Sequence, residues 1–152
     1  SAFSRPAATS TIRSFLLSLR LIRPVLVSPR EFVKAVLPHG TTTVVTDPHE
    51  IANVMGADGI EYMLQATEGL PVDVRFMLPS CVPATPMDES GAVLDYRTID
   101  SFYDHPRVQG LAEMMNYPGV IGADPQVIEK IVAWMWASMK PGRTIFPVMS
   151  YS

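Results

Sequence analysis

Asp47-Pro48-His49-Glu50 puts an imidazole and two carboxylates within four residues. Those groups are borderline-hard ligands for zinc, iron or manganese, and they are equally able to hold a polar substrate. The same four residues also fit the start of a helix, with Asp47 as cap and Glu50 near the positive end, and spacing alone favours that reading. Glu113 poses a different problem. It stands in the apolar run Leu111-Ala112-Glu113-Met114-Met115, where a buried carboxylate needs a partner, a hydrogen bond or a cation. The alternative is an edge strand or a strand end that reaches water. Cys81 follows a predicted strand, but no histidine stands near it in sequence to activate it, so it reads as a buried structural thiol. Asn116 and Tyr117 offer groups for the hydrogen-bonding edge of a substrate, although Tyr117-Pro118-Gly119 also reads as an ordinary turn. His39 and His105 adjoin Gly or Pro and read as solvated loop residues. The sequence has no glycine-rich phosphate loop, no Cys-x-x-Cys pair and no His-x-His pair.

These residues recur where predicted strands stop. Ser28-Pro29-Arg30-Glu31 has a capping hydroxyl, a proline suited to the first helical turn and a glutamate three residues on. Phe32, Val33, Val36 and Leu37 share one face of the helix that follows. The turn Pro38-His39-Gly40 leads into a β-branched strand over Thr41–Thr46. A second helix over about Asp58–Glu68 precedes a strand over Val72–Leu78, then a proline-stiffened loop to about Ala92. A third unit pairs a short helix, Thr98–Tyr103, with a strand, Val108–Met114. The fourth begins at Asp124-Pro125, with Val127, Ile128, Ile131, Val132 and Met135 as its expected buried stripe and a last strand over Thr144–Met149. In that helix Trp134 and Trp136 are expected to be one core ring and one partly exposed ring. Strand ends near 46, 78, 114 and 149 recur every 32 to 36 residues or so. Alternating α and β units at that period predict a parallel sheet with outer helices. A full (β/α)8 barrel takes ~250 residues, so the expectation is an α/β chain forming either a small sandwich or a partial barrel.

Composition narrows the partners. Of 152 residues, 47% are apolar, enough for a core, and a net charge of −3 gives no reason to expect nucleic acid or an anionic membrane. Cys81 is the single cysteine, so no internal disulfide can form and a cytoplasmic setting is the default. No run of eighteen apolar residues predicts a spanning helix. Residues 1–27 are set apart as a leader. They carry Arg5, Arg13, Arg20 and Arg23, and no acidic residue occurs before Glu31. The composition resembles a transit peptide, yet Arg20, Arg23 and Pro24 break its apolar run and no clean cleavage site follows. The reading is a poorly specified leader, partly helical over about Thr11–Leu21, followed by one α/β domain over 28–152.

Three long stretches carry a resemblance. They run from Phe32 through Leu37-Pro38-His39-Gly40-Thr41-Thr42-Thr43-Val44-Val45-Thr46-Asp47-Pro48-His49-Glu50 to Val54, from Phe76 through Pro79-Ser80-Cys81-Val82-Pro83 to Pro86, and from Gly110 through Leu111-Ala112-Glu113-Met114-Met115-Asn116 to Val120. In that order they resemble the bacterial-type adenine deaminases of the amidohydrolase superfamily, over about Ser28 to Ile131. The resemblance implies a partial (β/α)8 TIM-barrel-like fold with parallel strands and outer helices. It also implies a divalent metal pair, manganese or iron, that activates water to convert adenine into hypoxanthine and ammonia. Glu113 matches the family's metal-bridging glutamate. His49, Glu50, Ser80 and Asn116 are expected near the substrate, without assigned roles.

The departures matter as much. The family carries a His-x-His pair on its first strand, whereas this chain reads Arg20-Leu21-Ile22-Arg23-Pro24-Val25-Leu26-Val27 there. Past Ile131 the pattern is lost as well, so truncation or an altered reading frame is expected at both ends. One metal ligand cannot hold two ions against water. The chain is therefore expected to be inactive alone and to self-associate through open sheet edges. The alternatives are another amidohydrolase substrate class and a non-catalytic interaction module.

Overall fold

The computed structural model describes residues 15–16, 27–83 and 88–141. Helix α1, Pro29–Val36, begins where the capping residues require it, with the Glu31 N–H donating to Ser28 Oγ. A short 3-10 turn, Leu37–His39, then ends at Gly40, whose φ of 83° is left-handed and suits glycine. Strand β2, Thr43–Thr46, follows. Helices α2, His49–Met55, and α3, Ala57–Ala66, come next and lead to strand β3, Asp73–Leu78. Helix α4, Tyr96–Phe102, precedes strand β4, Val108–Leu111. Helices α5, Tyr117–Ile121, and α6, Pro125–Ser138, complete the described chain.

Among the described residues all strand pairings are parallel, in the order β1-β2-β3-β4, where β1 is the two-residue strand Phe15–Leu16. Thr43 pairs with Asp73 and Thr46 with Phe76, while Leu78 pairs with Leu111. Between β3 and β4 the register slips, so that Phe76 faces Val108 and the next residue, Met77, faces Gly110. Such a bulge bends the strand locally. β3 is central and is buried on both faces toward its C-terminal end, through Val74, Phe76, Met77 and Leu78, as strands in covered parallel sheets are. Ile60 and Leu64 from α3, Ile99 from α4 and Ala133 and Ala137 from α6 join that core. The chain is thus α/β, with parallel strands and surrounding helices in a partial TIM-barrel-like arrangement.

Several expected elements shift. The strand predicted to Met114 ends at Leu111, because Ala112 is the last residue bonded across to β3, through its N–H to the Leu78 carbonyl. The expected turn at Tyr117 is a short helix, capped by Asn116 Oδ1 on the Gly119 N–H. The stripe of α6 is rotated. Val127 is buried as expected, but Val132 and Met135 are exposed, and Lys130, Ala133 and Ala137 take their place. Trp134 is partly buried against the core and Trp136 is largely exposed, so the two rings divide as expected but neither is fully inside the core. Phe15–Leu16 is a strand and not part of a helix. The rest of the helix expected over Thr11–Leu21, and the strand expected over Thr144–Met149, lie outside the described residues.

Candidate functional site

Because β2, β3 and β4 are neighbours and parallel, their C-terminal ends share one edge of the sheet, the edge where barrel enzymes build their sites. Asp47, His49 and Glu50 follow β2. Ser80 and Cys81 follow β3. Glu113 and Asn116 follow β4. The three groups singled out from sequence are therefore the continuations of three adjacent strands.

After β2, a helix does start at His49, but Asp47 does not cap it: the cap position is Pro48, with no side-chain hydrogen bond. Asp47 instead holds the histidine, with Oδ2 3.0 Å from His49 Nδ1. Glu50 Oε1 lies 3.4 Å from the other ring nitrogen, Nε2. The imidazole thus lies between two carboxylates, an arrangement that orients a ring for ligation or proton transfer. Both Asp47 and His49 are about one-quarter exposed. Asp47 Oδ1 is buried and has no hydrogen-bond partner among the described residues, an uncommon state for a carboxylate oxygen.

The loops after β3 and β4 are tied together. The Ser80 hydroxyl donates to the Glu113 carbonyl and lies 3.2 Å from Cys81 Sγ. The Asn116 N–H donates to Cys81 Sγ at 3.3 Å, and Met114 Sδ lies 3.3 Å from the same sulfur. Ser80 and Cys81 are both buried, which makes the thiol structural here. Glu113 lies two residues past the strand and is partly exposed. It is therefore not a buried strand carboxylate that demands a cation, but a residue past a strand end. Asn116 Oδ1 is engaged in capping α5.

Sequence reasoning missed Lys130. It is 8% exposed, and its Nζ donates to the Ser80 carbonyl at 3.0 Å. Burial lowers the pKa of this ammonium, with Cys81, Asp95 and Asp124 acting in the opposite direction. The sequence signals the helix face on which Lys130 lies, but not its partner. Val127, Lys130, Ala133 and Ala137 recur at helical spacing, and small residues on that face let the helix approach the sheet.

Among the described residues no three His, Cys, Asp or Glu side chains converge as a metal site. Glu113 supplies one carboxylate, and the described residues do not fit a metal pair. A cleft of about 560 Å3 lies at the opposite edge, beside the starts of β3 and β4, with Glu61, Thr67, Asp73, His105 and Arg107 in its wall. There the Arg107 guanidinium closes α3 by bonding the Leu64 carbonyl and Thr67 Oγ1, so its donors serve the fold.

A parallel α/β sheet with its polar side chains gathered past the strand ends is the framework of barrel hydrolases. The sequence profile of the amidohydrolase family matches residues 3–134, and the chain belongs to that family. Its similar relatives include the adenine deaminase of Desulfatibacillum aliphaticivorans, 54% identical over 112 residues, which are 74% of this chain and 20% of that protein. The adenine deaminase of Nitratidesulfovibrio vulgaris strain DP4 is 57% identical over 110 residues, 72% of this chain and 19% of the relative. That of Halalkalibacterium halodurans is 51% identical over 112 residues, 74% and 19% respectively. The chain spans about a fifth of the length of the curated relatives it matches.

Proposed function

We propose that this chain forms part of the rim of an adenine deaminase barrel and does not turn over adenine by itself. The observation that carries the reading is the identity of more than half over some 110 residues with proteins named adenine deaminase, in a segment whose strand ends bring Asp47-His49-Glu50, Ser80-Cys81 and Glu113-Asn116 to one edge. In this reading His49, Glu50, Ser80 and Asn116 line the approach of the purine. Two of them act through backbone order: Ser80 fixes the Glu113 segment, and Asn116 starts α5. His49, held at Nδ1 by Asp47, presents its Nε2 side toward Glu50. Glu113 is the residue of this chain that would meet the family's divalent metals, manganese or iron. The set around it is too small to hold a pair, and no hydrolytic step is assigned to this chain. A cytoplasmic location goes with the reading, supported by the single cysteine.

Two measurements test it. Purified chain incubated with adenine and Mn2+ or Fe2+ is expected to release no ammonia above the protein-free control, and turnover of ~1 per second or faster would overturn the inactivity. Adenine titrated to millimolar concentration, a range that reveals Kd values of ~1 mM, is expected to shift the amide signals of residues 47–50 and 113–116. Unmoved amides would remove the substrate-lining roles.

A further inference from the structure

A lysine buried on a helix that faces a sheet is costly, because its ammonium leaves water and its long side chain is immobilised. Lys130 bears that cost at one place. Its ammonium reaches the Ser80 carbonyl in the loop after β3. The next links run outward from there: Ser80 Oγ to the Glu113 carbonyl, and Cys81 Sγ to the Asn116 N–H. The backbone of β3 and β4 is joined only as far as Ala112, whose N–H meets the Leu78 carbonyl. Beyond that point the Glu113–Asn116 segment is held to the β3 loop by those side-chain links, and the loop is held from behind by Lys130.

We propose that Lys130 is a positioning residue, which fixes the loop after β3 and through Ser80 and Cys81 sets the place of the Glu113–Asn116 segment on the rim. The functional meaning of that segment rests on the amidohydrolase reading above, but the positioning itself does not. Lys130 is a donor-specific device and not simply a filler of the α6 interface. An apolar residue of similar length would fill the space without holding the carbonyl. Removal of a buried charge in favour of an apolar isostere is often neutral or stabilising for the fold as a whole. Local order at the rim and global stability should therefore part company in the right variant.

The test uses Lys130→Met in the full 152-residue chain, with Ala137→Gly on the same helix as a control that loosens α6 without touching the loop. Cys81 is the sole cysteine, so its rate of modification by a thiol reagent under native conditions reports on this loop alone. Asn116 amide hydrogen exchange reports on the linked segment, and Phe76 amide exchange, in the core strand, reports on global opening. Lys130→Met is expected to raise Cys81 modification and Asn116 exchange by ~tenfold or more, with Phe76 exchange changed by less than about threefold. Ala137→Gly is expected to move all three together. Lys130→Arg, which keeps a cationic donor, is expected to recover at least half of the lost protection on a logarithmic scale. The proposal is overturned if Lys130→Met moves the three probes in step, if it moves none, or if the arginine variant is as open as the methionine one. None of these probes involves adenine or metal, so the result stands or falls separately from the deaminase reading.

Discussion

Asp47 Oδ2 lies 3.0 Å from His49 Nδ1 across an intervening proline, and that contact replaces the helix cap that the sequence offers at the same place. Pro48 is the cap residue and makes no side-chain bond. A carboxylate at Nδ1 keeps the proton on that nitrogen when the ring is neutral. Glu50 at 3.4 Å from Nε2 is beyond the usual hydrogen-bond range and competes weakly. The expectation is a predominantly Nδ1–H ring, visible in the 15N shifts of His49 at alkaline pH. Asp47→Ala should move the ring toward the Nε2–H form while changing the stability of α2 little. An unchanged tautomer ratio in that variant would show that Asp47 does not orient the ring.

Asp95 is a true cap, in contrast with Asp47. Its Oδ1 accepts from the Thr98 N–H at 2.8 Å and from the Thr98 hydroxyl at 2.7 Å. These two bonds, the backbone one foremost, hold the carboxyl below its ordinary value of 3.8. A depressed carboxyl contributes stability that is present above its unfolded pKa and is lost as pH falls through the lower folded one. Loss of the cap in Asp95→Ala should cost ~1 kcal/mol at pH 7, only part of it from the solvent-screened charge, and the gap should narrow once the pH is taken below 3.8. Urea unfolding of both proteins at pH 7, 5 and 3 measures it. A gap of the same size at all three would mean that the charge plays no part.

How far the sequence reveals this protein depends on whether the signal is local. The caps at Ser28, Asp95 and Asp124 depend on bonds two or three residues away; the sequence marks Ser28 and Asp124 as helix starts, and the helix after Asp95 begins two residues before the expected Thr98. The parallel sheet followed from the period of the units. What stayed hidden depends on tertiary partners. Glu113 reads as a strand carboxylate because its neighbours Leu111, Ala112, Met114 and Met115 are all apolar, but pairing with β3 ends at Ala112. The buried face of α6 differs from the expected one because large apolar residues outnumber small ones in its sequence. In a helix lying against a sheet the inner face goes to Ala133 and Ala137, and Val132 and Trp136 are left outside. The link from Lys130 to Ser80 spans fifty residues, and no periodicity reports it.

Gly59, inside α3, sits where that helix passes α2. A Cβ built there would stand 2.7 Å from the Ile51 carbonyl oxygen. Alanine gains about 1 kcal/mol over glycine from helix propensity, while forcing a side chain into a packed contact costs ~1–3 kcal/mol. The obstacle is backbone, which cannot swing aside as a side chain tip would, so the second effect should win. Gly59→Ala is expected to lower the midpoint of urea unfolding by an amount equivalent to ~1 kcal/mol or more. A variant more stable than the parent would show that α2 shifts freely and that the two helices are not tightly packed.

The last prediction concerns the open side of the sheet. Among the described residues β4 pairs only with β3, and its outer edge, Val108–Leu111, carries no partner strand. Next to it α6 leaves Val132, Met135, Trp136 and Met139 between 42% and 70% exposed. A groove of about 400 Å3 runs between α4 and α6, with Tyr96, Ile128 and Trp136 in its wall. An unpaired strand edge beside an apolar helix face invites pairing with another copy. We expect the molecular mass measured by analytical ultracentrifugation to rise with concentration across the micromolar range. Trp136→Glu combined with Met139→Lys should move the protein back toward monomer. Both side chains are largely exposed, so the pair of substitutions should alter fold stability by no more than ~1 kcal/mol. Loss of association with an unchanged unfolding midpoint is thus the discriminating result. A monomeric mass at every concentration in the parent chain would remove the self-association altogether.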